Sequence, residues 1–202
     1  MPIVAPVNIF DDGAFSRTVA EETGSTASKA DAIASATART VTERMEEDPV
    51  FYKRFSDLVR ATIEEFRAGR LSEKGYLEKI VAIRNQVVSR SGVDDGVPEA
   101  MRGDELASAF YRNTEPILKE VADGEAGSIA EATASAFAII VRRHRKIGWQ
   151  TGPDAQNDIR NAMDDFLCDE IKRKHGLYAL DTVTMDRVID TALAIARRQA
   201  AA

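Results

Sequence analysis

Cysteine, histidine and tryptophan are all scarce in this chain: one Cys, two His and one Trp among 202 residues. Each scarcity removes a class of answers. The lone Cys168 has no partner within the chain for a disulfide, which fits a reducing cytoplasm. It lies beside an apolar helical stripe, where a buried structural thiol is expected rather than a nucleophile. His144 and His175 sit inside the basic runs RRHRK and KRKH, where neighbouring cations oppose metal binding and no Cys, Asp or Glu stands at ligand spacing. No apolar run approaches the roughly 20 residues of a membrane span, and MPIVAPVNIFDDGAF lacks the basic start and long apolar core of a secretion signal. A Walker phosphate loop and a dinucleotide fingerprint are both missing, so ATP binding of the usual kind is not expected. Excess positive charge is missing too. The formal charge of -6 and pI near 5.1 argue against a free-standing nucleic-acid binder and leave DNA contact only as a local patch. The expectation is a soluble cytoplasmic protein without membrane contact.

What is present is helical punctuation. Residues Met1 to Phe10, with prolines at 2 and 6, read as irregular, and 1–24 as a tail or linker ahead of a helical domain spanning 25–202. From Ser25 to Glu47 an Ala, Ser and Thr-rich stretch carries only Ile33, Val41 and Met45 as large apolar residues, a thinly anchored helix suited to bridging. Asp48-Pro49 supplies a cap and a first-turn proline. Phe51, Phe55, Leu58, Val59, Thr62 and Phe66 then form one face ending at Gly69. After Ser72 a helix carries Tyr76, Leu77, Ile80, Arg84, Val87 and Val88, and the short connection predicts an antiparallel hairpin. Ser89 to Gly103 reads as a long loop. Asp104 opens a helix through Phe110, Tyr111, Ile117 and Leu118, with a kink expected at Pro116. Ser128-Ile-Ala-Glu131 matches a capping box for a helix running through Phe137 and Ile140 towards Gly148, with alanines at 130, 132, 134, 136 and 138 suited to close packing. A helix from Pro153 with a stripe at Ile159, Met163, Phe166, Leu167 and Ile171 stops at Gly176. A last one from about Thr184 buries Met185, Val188, Ile189, Leu193 and Ala196. The fold class expected is an all-α bundle of roughly seven helices.

Pro153-Asp154 followed by Glu170-x-Lys172 copies the letters of a PD…ExK metal nuclease, in which two carboxylates hold a cation beside a lysine. On one continuous helix, however, Asp154 and Glu170 stand roughly 24 Å apart at ~1.5 Å per residue, too far to share an ion. Adjacent acids such as Glu64-Glu65 and Asp164-Asp165 point about 100° apart on a helix and read as a solvated face. Arg142, Arg143, Arg145 and Lys146 could grip a phosphate backbone. The plainer role for those cations is to offset the negative end of the helix dipole before a glycine stop. Trp149 follows that stop, where its ring either packs over helix ends or anchors a partner. Asn157, Arg160 and Asn161, close to Gln156, form either a hydrogen-bonded network from helix to loop or a docking surface. Catalytic, cofactor-binding and metal-ligating residues are all expected to be none. The candidates for partner contact are Trp149, Asn157, Arg160 and Asn161, and those for phosphate contact are Arg142, Arg143 and Arg145.

Three segments, DPVFYKRFSDLVRATIEEFRAGRLSEKGYLEKI, VPEAMRGDELASAFYRNTEPIL and GWQTGPDAQNDIRNAMDDFL, taken in that order, resemble the C-terminal helical domain of type I restriction enzyme endonuclease (R) subunits. VNIFDDGAF and ADAIASATARTVTERMEEDP look like the stretch that joins this domain to the motor, so the likeness runs from about Val7 to Arg198. In that family the R subunit carries an N-terminal PD…ExK nuclease, two RecA-like ATPase lobes that translocate DNA, and a helical tail. The resemblance implies that the tail binds the methyltransferase core of modification and specificity subunits, with DNA reached mainly through that complex. ATP and magnesium would belong to the motor and nuclease, and no catalytic residue of the family has a counterpart here. The alternative is an autonomous DNA-contacting helical protein using the cluster at 142–146.

Overall fold

A computed structural model describes residues 9–11, 13, 15, 24–90 and 96–201. From residue 24 on, the described residues form seven α-helices: α1 Thr26–Glu43, α2 Pro49–Arg67, α3 Glu73–Ser89, α4 Glu105–Ala122, α5 Ala126–His144, α6 Pro153–Phe166 and α7 Thr182–Gln199. Among the described residues there is no strand, and the fold is all-α as the periodicity predicts. The chain divides into two compact units rather than a tail and one domain. Unit 1 comprises Met1–Met45 with Phe51–Asp94, and unit 2 comprises Glu46–Val50 with Asp95–Ala202.

In unit 1, α1 packs on α3. Ser25 caps α1 by accepting from the Ser28 amide, and Ser72 caps α3 by accepting from the Gly75 amide at 3.1 Å. Between α2 and α3 the chain turns at Gly69, whose φ of +71 is a left-handed conformation that a side chain would strain. Phe66 stacks on Tyr76 at 4.4 Å, and Lys79 Nζ pairs with Glu65 Oε2 at 2.6 Å, contacts of the expected antiparallel hairpin. Phe51, Tyr52, Phe55, Val59, Ile80 and Val87 fill the core. One expectation is corrected: α1 is no thin bridge but buries Ala30, Ile33, Ala34, Thr37 and Val41. Small side chains let helix axes approach closely, so few large ones are needed. Ile9 is also buried there, its carbonyl accepting from the Arg84 guanidinium, which lies over the Phe15 ring. The rest of the expected irregular start, residues 1–8, lies outside the described residues.

Tyr76 is buried and donates from its hydroxyl to Asp31 Oδ1 at 2.8 Å. Burial first, and then this carboxylate, push the phenol well above its usual range. Because the folded-state value lies above the unfolded value, the stabilisation is present below pH ~10 and is lost as the pH rises beyond it. Tyr76→Phe is therefore expected to lose stability near neutrality and to unfold with a shallower alkaline limb than the wild type. Parallel falls of the two urea midpoints between pH ~8 and ~11 would assign the alkaline loss to other groups.

Unit 2 is a closed ring of four helices. α4 packs on α5, α5 on α6, α6 on α7, and α7 returns to α4. Phe110, Leu118, Phe137, Ile159, Met163, Leu167, Val188 and Ile189 are its buried centre. On α5 the alanines at 130, 134 and 138 are buried, and those at 132 and 136 are half-buried. The helix α6 continues without a break into a π-helical stretch, Leu167–Lys174, and Gly176 follows at φ +76. Asp181 caps α7 by accepting from the Thr184 amide at 2.7 Å. The capping box expected at Ser128 is not formed. Helix α5 begins at Ala126, directly after a 3₁₀ turn at Asp123–Glu125, and Ser128 Oγ donates back to the Glu125 carbonyl at 2.9 Å. The preceding turn already delivers the chain in helical register, so Ser128 lies inside the helix.

Candidate functional site

The C-terminal end of α5 shows how the candidate residues are held. Arg142, Arg143 and His144 occupy its last turn, and the Arg145 amide closes it by donating to the Val141 carbonyl at 2.9 Å. Gly148 then turns the chain with φ +75, the Trp149 amide donates to Lys146 O at 3.1 Å, and the indole folds back until 3% of the residue is exposed. Trp149 thus packs in the core, the first of the two roles open to it, and supports the loop from beneath.

Arg142 Nη2 pairs with Asp104 Oδ1 at 2.6 Å, and the same oxygen accepts from the Ala107 amide at 3.0 Å. Asp104 therefore caps α4 and ties its start to the end of α5. Burial raises the Asp104 carboxyl, but the bond from Arg142 and the amides of Ala107 and Leu106 outweigh it and hold the group below its usual range. The same bond raises Arg142. Arg142, itself exposed, is thus committed to an ion pair, whereas Arg143 and Arg145 are exposed and form no ion pair among the described residues. A cleft of about 390 Å³ opens here, lined by Asp104, Arg142, Arg145, Trp149, Gln199 and Ala200 among others.

The polar group on α6 divides. Gln156 Nε2 donates to the carbonyls of Trp149 at 3.3 Å and Gln150 at 2.7 Å, and this is the bridge from helix to loop. Arg160 instead reaches α7, donating to Asp186 Oδ1 at 3.1 Å and to the Asp190 carboxylate. Both aspartates are more than half exposed, so these pairs stabilise by about 0–1 kcal/mol and orient more than they hold. Asn157 and Asn161 are exposed on the same helix.

The nuclease-like letters carry helix chemistry. Asp154 is exposed in the first turn of α6, where a carboxylate suits the dipole, and Glu170 Oε1 pairs with Lys174 Nζ at 2.6 Å one turn on. Among the described residues no group of three His, Cys, Asp or Glu side chains is placed to hold a metal ion. His144 is half-buried, His175 exposed. Cys168 is half-buried against the core rather than buried. No described helix is long and apolar enough to cross a membrane.

The most deeply buried charged group of unit 2 has no local sequence signal. Asp48, fully buried, accepts from Arg112 Nη1 at 2.6 Å and from Asn113 Nδ2 at 2.8 Å, while Asn113 Oδ1 accepts from the Val50 amide at 3.2 Å. Expected as a cap at the start of α2, Asp48 is also the buried anion that pins the segment Glu46–Val50 to α4. Gln199 Nε2 adds a bond to the Glu47 carbonyl at 3.0 Å, and Arg198 pairs with Glu46. A second, wider cleft of about 720 Å³ lies beside this segment, between Pro49, Gln150, Ile195 and Arg197.

Comparison with known proteins identifies no relative: no family model, no curated protein and no solved structure matches the chain. What can be said of the site comes from its own residues. These are an exposed helix face at Asn157 and Asn161 and a basic turn at 143–146.

Proposed function

We propose that this chain is a non-catalytic assembly module of a type I restriction endonuclease subunit. It docks the ATP-dependent motor and nuclease onto the methyltransferase core of modification and specificity subunits. The observation that carries this reading is the order of the three resembling segments, which cover α2 and the first half of α3, the approach to α4 and most of that helix, and α6 with the turn before it. The pairing of Glu170 with Lys174 supports it too, because the letters that suggest a nuclease serve a helix. Under this reading the module acts in the cytoplasm, while ATP, magnesium and DNA cleavage belong to the motor and nuclease. The solvent face of α6, with Asn157 and Asn161, is exposed, and Arg160 orients that helix against α7.

Titrating the purified chain into a fluorescently labelled modification–specificity complex from the same source tests the proposal. Saturable binding at micromolar concentration or below is expected. A flat titration would remove the docking role.

A further inference from the structure

Unit 2 gathers cations at one pole. The C-terminal ends of α5 and α7 meet there across the 390 Å³ cleft, since Arg142 and Arg145 line it together with Ala196, Gln199 and Ala200. Arg142 is matched by Asp104, and Arg198 by Glu46. Arg102, Arg143, Arg145, Lys146 and Arg197 are exposed and have no ion-pair partner among the described residues. Two helix C-termini also end here, and their carbonyl dipoles account for part of this charge by attracting cations to the last turns. Arg102 and Lys146 lie outside any last turn, so the dipoles do not account for them. Seven cations, with Arg142 and Arg198, stand there against the acids Asp104, Glu105 and Glu46, so in a chain of net charge -6 this is a local reversal of sign. At its tip stands Ile147, the most exposed large apolar residue of the described chain, on a turn that Gly148 and the buried Trp149 hold in place.

We infer that this pole is the docking surface of unit 2, and that its occupant is an acidic patch on a protein, with Ile147 seated at the centre of the contact. The inference rests on the docking role proposed above and names the face that performs it. Charge complementarity selects an acidic occupant, and the apolar centre selects protein over nucleic acid. A phosphate backbone offers Ile147 nothing to bury against, whereas protein contacts favour arginine around a desolvated apolar centre. The negative charge of the rest of the chain also opposes long-range attraction of DNA.

The full chain carrying Ile147→Asp, and separately Arg143→Glu with Arg145→Glu, tests the assignment against the purified methyltransferase complex. All three side chains are exposed, Arg143 in the last turn of α5 and the other two just beyond it, so wild-type circular dichroism is expected, with an unchanged midpoint for Ile147→Asp and one lowered by a few degrees where Glu faces the negative end of α5. Each variant is expected to bind at least about tenfold more weakly, and wild-type binding is expected to weaken with salt. Wild-type affinity in both variants would place docking on another face and overturn this inference while leaving the docking role standing. Loss of duplex DNA binding with protein binding intact would also overturn it, in favour of a nucleic-acid surface. If the wild-type chain itself fails to bind the complex, the docking role falls and this inference with it.

Discussion

Asp48→Ala is expected to cost unit 2 about 3–5 kcal/mol, because it breaks a buried ion pair from one side only. The carboxylate is fully buried and its partner Arg112 nearly so, at 2.6 Å, with the Asn113 amide on the other oxygen. Removing the anion takes the 2.6 Å carboxylate from a buried guanidinium and leaves one Asn113 donor short of an acceptor. The segment Glu46–Val50 would also lose its main tether to α4. For a protein of this size the thermal midpoint should fall by on the order of 10 °C. Removing both charges together, as Asp48→Leu with Arg112→Met, should cost less than the single change, since an apolar pair of similar volume avoids the desolvation of two ions. Urea unfolding followed by circular dichroism would measure both. A single-site loss under about 1 kcal/mol would mean that water enters the pair and that it contributes no more than a surface bridge.

Phe137→Ala should be comparably damaging, at about 3–5 kcal/mol, for a different reason. The ring is fully buried on α5, edge-on to Phe110 of α4 at 6.4 Å and to Phe166 of α6 at 6.2 Å. It therefore links three of the four helices in the ring. Truncation removes apolar contact and two aromatic pairs worth about 0.5–1.5 kcal/mol each, and it leaves a cavity that α5 can close only partly. Phe137→Leu, which fills most of the space, should recover much of the loss. Calorimetry on both variants distinguishes the cases, and equal stability of Phe137→Ala and wild type would mean that the alanine-lined face of α5 slides to fill the gap.

Local signals made much of the helical layout legible. Ser72 and the short Gly69 turn set out the hairpin that Phe66, Tyr76, Glu65 and Lys79 complete, and Gly176 closes the π-helical end of α6 as a C-terminal glycine should. Ser128 failed because a capping box is defined by four letters, whereas the start of a helix depends on the turn that delivers the chain, here Asp123–Glu125. The packing of α1 is not legible from its few large side chains, because alanines pack by closeness instead. Asp48 and Arg112 stand 64 residues apart, and nothing in either neighbourhood announces the other. The division into two units is hidden for the same reason, since it depends on which helix faces meet.

The candidate site was less legible. Arg142 shares the letters and the exposure of Arg143 and Arg145, yet Asp104, 38 residues earlier, engages its charge in an ion pair. Trp149 admitted two roles until the Gly148 turn directed it inward. Asn157, Arg160 and Asn161 read as one cluster, but the Gln156 bonds and the aspartates of α7 show that bridging and exposure fall to different members.

Size-exclusion chromatography with light scattering, on the chain alone and mixed with the modification–specificity complex, tests the assembly role most directly. The docking account expects a mixed peak whose mass exceeds that of the complex by whole copies of the chain, at micromolar concentration. Two peaks at the masses of the separate components would contradict it.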